Sequence, residues 1–261
     1  SLHQLVIYDN MKQSLMFYST EDGRFVKSEK FNKPTPAEIA YWGGYFFYHN
    51  RLHRNYQDDI SLHYYLLASK DGITIGKRYF KHENNKEDYP FSPSGHNLYD
   101  NNSKLYYCRD FDNIVYQIHE DSVVPRFRIN LPNPLPASMI EERPNEMSLL
   151  RSGYSLGITD IYEYGGLLFF RFVKDGYIWS CLYNVEESKQ VYCAKRIKFL
   201  DSSLIDTIDG IYKDCFYSIL TPEYLDYAFS ENPLEDYPDL FKTYDVEGDN
   251  PVIAFYRAVV R

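Results

Sequence analysis

The stretch "ITDIYEYGGLLFFRFVKDGYIWSCLYNVEESKQVYCAKRIKF", Ile158 to Phe199, decides how the chain is read. It breaks into four runs, "ITDIYEY", "GLLFFRF", "YIWSCLYNV" and "KQVYCAKRIKF", each rich in β-branched and aromatic residues, as strands are. Consecutive strands this close together form an antiparallel meander. The same grammar occurs earlier. "EIAYW", "YFFYH", "ISLHYYLLA" and "ITIGKRYF" (Glu38 to Phe80) carry Gly43-Gly44 and Asp71-Gly72 at turns, and "HNLYD", "KLYYCRD", "NIVYQIHE" and "VVPRFRINL" (His96 to Leu131) follow. The first unit has three runs, "QLVIYDN", "SLMFYST" and "RFVKSEKF", with turn signals at Asp9-Asn10 and Asp22-Gly23, and reads as lacking its opening strand. The apolar cores "LVIYD", "YFFYH", "LYYC" and "LLFFRF" return about 40 to 60 residues apart, which is the period of β-propeller blades with four strands each.

Strand chemistry within the units sharpens the reading. Second strands are apolar on both faces, as a sheet sandwiched between two others requires. Fourth strands gather Lys and Arg, which discourage edge-to-edge aggregation at an unpaired edge. A β-sandwich with solvated edge strands is the rival, but it gives no reason for that order to repeat. The expected fold is therefore all-β, a propeller of four-stranded antiparallel blades over residues 1–261, with blades near 1–33, 34–82, 95–131, 157–200 and 204–261. Two stretches interrupt it. Residues 130–156 hold four prolines and read as a long connection with one helical turn around Ala137 to Glu142. From Thr221, a Thr-Pro start places an N-cap and a first-turn proline ahead of Leu225, Phe229, Leu240 and Phe241, so one or two short helices are expected before the final strand. That strand, "VIAFYRAVV" (Val252 to Val260), reads as buried.

Composition excludes some classes. Of 261 residues, 44% are hydrophobic and 18% aromatic, enough for a sizeable core. The net charge of −9 argues against nucleic acid or anionic lipid as partner, because both need positive potential. No run of eighteen apolar residues marks a transmembrane segment. The chain opens at Ser1 without a signal-like segment and reads as a processed product or fragment. The four cysteines, Cys108, Cys181, Cys193 and Cys215, have no zinc-ligand spacing. A hairpin turning near Glu187 would set Cys181 opposite Cys193, within reach of a disulfide; buried free thiols are the alternative.

Set in this order, the residues resemble a six-bladed β-propeller family abundant in gut Bacteroidetes, whose members are mostly of unassigned function. The ending "DNPVIAFYRAVVR" (Asp249 to Arg261) resembles that family's closing motif. "LYYCRDFDNIVYQIHEDSVVPRFRINL" (Leu105 to Leu131) resembles its central blade, "GITDIYEYGGLLFFRF" (Gly157 to Phe172) the next, and "SLIDTIDGIYKDCFYSIL" (Ser203 to Leu220) the last. The export signal, first blade and Gly-Pro-Gly-Glu-like loop usual in the family do not occur in this sequence. The resemblance implies the later four to five blades of a larger, exported protein, periplasmic or at the cell surface. It also implies that the terminal strand lies inside the last blade, and that the ring stays open.

Catalytic signatures are few. GxSxG, HExxH, GxxxxGK[ST] and the dinucleotide glycine pattern do not occur. Two carboxylates suffice for a glycosidase, and Asp100, Asp160 and Asp209 lie at or just after first strands, which line a propeller's channel; solvated turn acids are the plainer reading. Oxygen-rich clusters at Tyr99 to Lys104, Asp110 to Asn113 and Val246 to Asn250 could face Ca²⁺ but lack the full EF-hand spacing, so no cofactor or metal is expected. Tyr41, Trp42, Tyr99 and Tyr162 also sit near first strands, where rings beside Asp residues make a platform for a glycan or protein ligand, or else pack between blades. Six of the seven histidines, His49, His53, His63, His82, His96 and His119, are dispersed. Binding without catalysis is the first expectation, and a glycan hydrolase or lyase using channel carboxylates the alternative.

Overall fold

The computed structural model describes residues 3–9, 11–30, 36–50, 63–82, 92–93, 95–142, 144–195, 197–199, 202–205, 208–231, 244–245, 248 and 250–257. His53, Leu240, Phe241, most of the Val246 to Asn250 cluster and the last four residues lie outside them. The fold is all-β and of the propeller class. Its antiparallel sheets divide between two compact units, residues 1–98, 105–109 and 114–129 in the first and residues 99–104, 110–113 and 130–261 in the second.

The first unit opens with a three-stranded sheet of β1 (Gln4–Asp9), β2 (Ser14–Ser19) and β3 (Phe25–Lys30). A four-stranded sheet follows in meander order: β4 (Glu38–Trp42), β5 (Tyr45–His49), β6 (Tyr64–Ser69) and β7 (Lys77–Lys81). Next come β8 (Leu98–Asp100), of which only Leu98 belongs to this unit, and β9 (Leu105–Tyr107), β10 (Ile114–Ile118) and β11 (Val123–Arg128), again in sequential order. Packing explains why the second strands are apolar on both sides. Side chains alternate across a strand, so Phe46 and Tyr48 of β5 face Leu15 and Phe17 of the preceding sheet, with Leu67 beside them. Phe47 points the other way, into a core with Leu66, Ala68, Leu105, Tyr107, Tyr116 and Ile118. In the first sheet the buried strand is β2, whereas β1 is half exposed. β3 is almost wholly exposed, as the fourth-strand chemistry predicts.

The second unit begins with two short helices, α1 (Ala137–Glu141) and α2 (Glu146–Leu150). The first was expected. The second follows from Asn145, whose side chain accepts from the Ser148 amide as an N-cap. A four-stranded meander follows, made of β12 (Ser155–Tyr164), β13 (Leu167–Lys174), β14 (Tyr177–Asn184) and β15 (Lys189–Ala194). The expected fourth strand is shorter than its sequence run: β15 ends at Ala194, and β16 (Ile197–Phe199) pairs with β17 (Ser202–Ile205) in a ribbon of its own. β18 (Gly210–Tyr212) and β19 (Cys215–Leu220) lead to α3 (Pro222–Glu231), whose first-turn amide at Tyr224 donates to the Thr221 hydroxyl. The chain then returns as β20 (Val252–Tyr256), antiparallel to β19 in the order β18-β19-β20. Among the described residues the chain therefore holds five blade sheets of three or four strands, plus the ribbon.

β20 corrects one expectation. Its apolar sequence predicts a buried strand, but Ile253 and Phe255 are 55% and 54% exposed. Only one face of this strand is covered, because apolar composition alone does not say whether a second layer lies against the other. The hairpin about Glu187 does set Cys181 opposite Cys193, and the two are joined as a disulfide, in which Cys108 and Cys215 take no part.

Candidate functional site

β12 departs most from regular strand geometry. Its register with β13 slips twice, between Ser155 and Ile158 and between Thr159 and Tyr162. Such bulges re-aim side chains. Each slip contains a residue with left-handed backbone: Gly157 at φ +99° and Asp160 at φ +53°. Gly157 is required by close approach, since a Cβ there would meet the Phe111 Cα at 2.7 Å. The loop carrying Phe111 is tied to the strand by the Ile158 amide, which donates to the Asp112 carbonyl at 3.1 Å.

At Asp160 the strand keeps a side chain where glycine would sit more easily. Arg171, across the sheet on β13, supplies the reason. Its Nε and Nη2 both donate to Asp160 Oδ2, each at 2.8 Å. The two side chains are 17% and 16% exposed, so the pair is partly sheltered yet reaches solvent.

Around this pair the second unit gathers several of the sequence-predicted residues. Tyr162 is buried, with its ring edge-on to Tyr99 at 6.2 Å and stacked on Phe169. Its hydroxyl donates to the Asp209 carbonyl at 2.9 Å. Burial above all, then the negative charges of Asp160 and Asp209, pushes that hydroxyl's pKa far above its ordinary value. Tyr99 is equally buried. The Asp209 carboxylate accepts from the Ile219 amide at 2.7 Å. Asp100 is exposed at the end of β8, yet desolvation by its surroundings raises its carboxyl, partly offset by the Asn102 amide.

Next to it, buried Asn101 stitches the turn after β8 to β12. Its Nδ2 donates to the carbonyls of Tyr99 and Ile161, and its Oδ1 accepts from the Glu163 amide at 2.6 Å. Lys104 closes the same seam on Glu163 at 2.8 Å. The Tyr99 to Lys104 cluster is thus a tight turn whose Asn101 amide bonds backbone. Among the described residues no three His, Cys, Asp or Glu side chains come together as a metal site.

Tyr41 and Trp42 belong to the first unit. Tyr41 is 43% exposed and lies tilted on Phe46 at 4.9 Å, whereas Trp42 packs partly into the core behind β5. Among the described histidines, His49 Nδ1 is 3.1 Å from the Tyr107 hydroxyl, the His82 ring lies on Tyr65, and His96 pairs with Glu38.

Arg171 and Asn101 were missed in the sequence. Arg171 had a signal, being the one charged residue inside the apolar run "LLFFRF". Asn101 lies within the Tyr99 to Lys104 cluster already singled out for its oxygens, but its tie to β12 has no mark there, because Ile161 and Glu163 are remote in sequence.

A family described as "Domain of unknown function (DUF4934)" matches residues 2–257. The chain belongs to that family. Among solved structures, the crystal structure of a "Putative exported protein" from Bacteroides fragilis aligns with this DUF4934 chain at a TM-score of 0.74 and 14% identity, covering 97% of this chain and 73% of the other. At that identity the likeness shows the fold. AztD from Citrobacter koseri aligns at TM-scores of 0.37 and 0.36 with 8% and 10% identity over 83% of this chain and 63% of its own, and carries no argument. No curated protein matches the chain. No described helix is long and apolar enough to cross a membrane.

Proposed function

We propose that this DUF4934 chain is a non-catalytic binding propeller that holds a glycan or protein ligand through exposed groups at the first strands of its blades. The observation that carries this reading is the state of the carboxylates. Asp160 is held by Arg171 and Asp209 by the Ile219 amide, so each is a fixed, hydrogen-bonded acceptor rather than a poised acid or base. Fixed acceptors suit recognition, and Tyr41 adds an exposed ring in the first unit. Tyr41 and Trp42 in the first unit, and Asp100 and Asp160 in the second, are the contact residues of this proposal, and within the second unit Tyr99, Tyr162 and Asp209 are its supporting residues.

The alternative, a glycan hydrolase or lyase, draws on Asp100, whose raised carboxyl is the feature of a general acid. A screen of glycans and peptides against the full chain, repeated with Trp42→Ala and Asp160→Ala, tests the first reading. Binding that is lost in at least one variant, without release of reducing ends, supports it. Product release abolished by Asp100→Asn would replace it with the alternative.

We further propose that the whole of 1–261 acts as one domain in a six-bladed ring, exported to the periplasm or cell surface. Uncovered apolar rows on β1 and on β20, and the greater length of the Bacteroides fragilis protein, support a further blade. That protein's being described as exported and the Cys181–Cys193 disulfide support export, since such bonds persist in oxidising compartments.

A further inference from the structure

The Asp160–Arg171 pair is half used. Both guanidinium contacts go to one carboxylate oxygen, Oδ2. Among the described residues Asp160 Oδ1 and Arg171 Nη1 make no hydrogen bond, so a fixed acceptor and a fixed donor stand on two groups that hold each other still. The strand keeps this arrangement with an L-residue at φ +53°, inside the second of two bulges. A partly exposed ion pair returns little stability for that conformation.

The chemistry of the pair narrows its ligand. A carboxylate or phosphate would meet Asp160's negative charge, and an ammonium would meet the guanidinium of Arg171. A neutral hydroxyl pair suits both atoms, because one hydroxyl can donate to Oδ1 while its neighbour accepts from Nη1. With only about a sixth of each side chain exposed, the pair admits protruding ring hydroxyls rather than a broad protein surface.

We infer that Asp160 and Arg171 together read adjacent hydroxyls of a neutral sugar residue, and that Arg171 is a specificity-determining residue of the binding site. This rests on the binding reading above and names the ligand class for it.

Asp160→Asn is the decisive variant. Asn also tolerates left-handed backbone, and its carbonyl can still accept from Arg171, but the other atom changes from acceptor to donor. The full chain is probed by saturation-transfer NMR with methyl glycosides of neutral hexoses, with glucuronic acid and glucosamine as charged counterparts and glycerol as control. The parent chain is expected to take up neutral glycosides in preference to both charged sugars and glycerol. Asp160→Asn should weaken that binding roughly tenfold or more at an unchanged melting temperature, and Arg171→Lys should do the same through loss of the planar fork.

Glycoside binding by Asp160→Asn equal to the parent's overturns the inference, as does a variant that melts several degrees lower, which would make the pair structural. Peptide or protein binding by the parent without glycoside binding sinks this inference and leaves the binding reading standing. Binding of nothing in either screen removes both.

Discussion

Gly157 and Gly44 share a left-handed backbone, at φ +99° and +81°, but sit in different surroundings. A Cβ at Gly44 meets nothing within 4 Å, whereas one at Gly157 would run into the backbone of Phe111. Gly44→Ala should therefore cost only the conformational term, about 1 kcal/mol. Gly157→Ala should cost well beyond that, about 3 kcal/mol or more, because backbone cannot step aside as a flexible side-chain tip can. Paired thermal melts compare the two, and equal losses would contradict the close approach. The Asp71-Gly72 turn shows the opposite legibility. Its residue types announce it in the sequence, and Asp71 Oδ1 indeed accepts from the amides of Ile73 and Thr74 and from the Ser69 hydroxyl. Those bonds, the Thr74 amide foremost, hold its carboxyl well below the usual range. A depressed folded pKa means that the stabilisation is present above the unfolded value, near pH 4. It fades as the pH falls through the lower folded value. Asp71→Asn should consequently melt below the parent at neutral pH, with the gap closing as the pH drops below about 4. A pH-independent gap would show that shape, and not charge, holds the turn.

At the scale of elements, the disulfide between β14 and β15 ties the outermost strand of its sheet to its neighbour across a sequence separation of 12. Loop-closure entropy for a loop of that size gives about 3 kcal/mol as an upper value. Cys181→Ser combined with Cys193→Ser should lower stability by up to that amount. Thiol titration of the unfolded parent should find two reactive groups without reductant and four with it; four without reductant would deny the bond. This pairing was legible because side chains alternate along a strand, so one turn position fixes every partner. Short elements were harder to read. α2 has five residues and begins after a proline-containing stretch, and its N-cap at Asn145 resembles any turn residue until the Ser148 amide is seen to point at it. The bulges in β12 were partly illegible for a related reason. Gly157 in "SLGITDIYEY" is the kind of residue that marks a slip or a close approach, but nothing there marks the second slip at Asp160, since its partner is the arginine on the next strand.

For the whole molecule, the order of strand chemistry carried the fold class: doubly apolar second strands and exposed basic fourth strands follow from sheets packed face to face. The same pattern says only that a face is apolar, and is silent on what lies against it, which is why β20 was misread. On the last sheet, Ile219 pairs with Ile253 and Tyr217 with Phe255. Tyr212 lies 6.0 Å from the Phe255 ring, so the exposed residues form one continuous row. Rows of this kind favour association. The 261-residue chain should show concentration-dependent self-association by analytical ultracentrifugation. Ile253→Asp with Phe255→Asp should reduce that association and leave the melting temperature nearly unchanged. A fall of several degrees would mean that the row is packed in the monomer.

The two-sidedness of β5 bears on how such a chain can change over time. Phe46 and Tyr48 answer to one adjoining sheet, and Phe47 to the other. A lesion on either side is therefore felt mainly by one neighbour, in the nearest-neighbour manner of repeat proteins. A foreign blade can be spliced in wherever its two outward rows match those it replaces. In such a scaffold, seams set the limits on recombination, and a strand pinned by a neighbouring loop, as β12 is at Gly157, sets another.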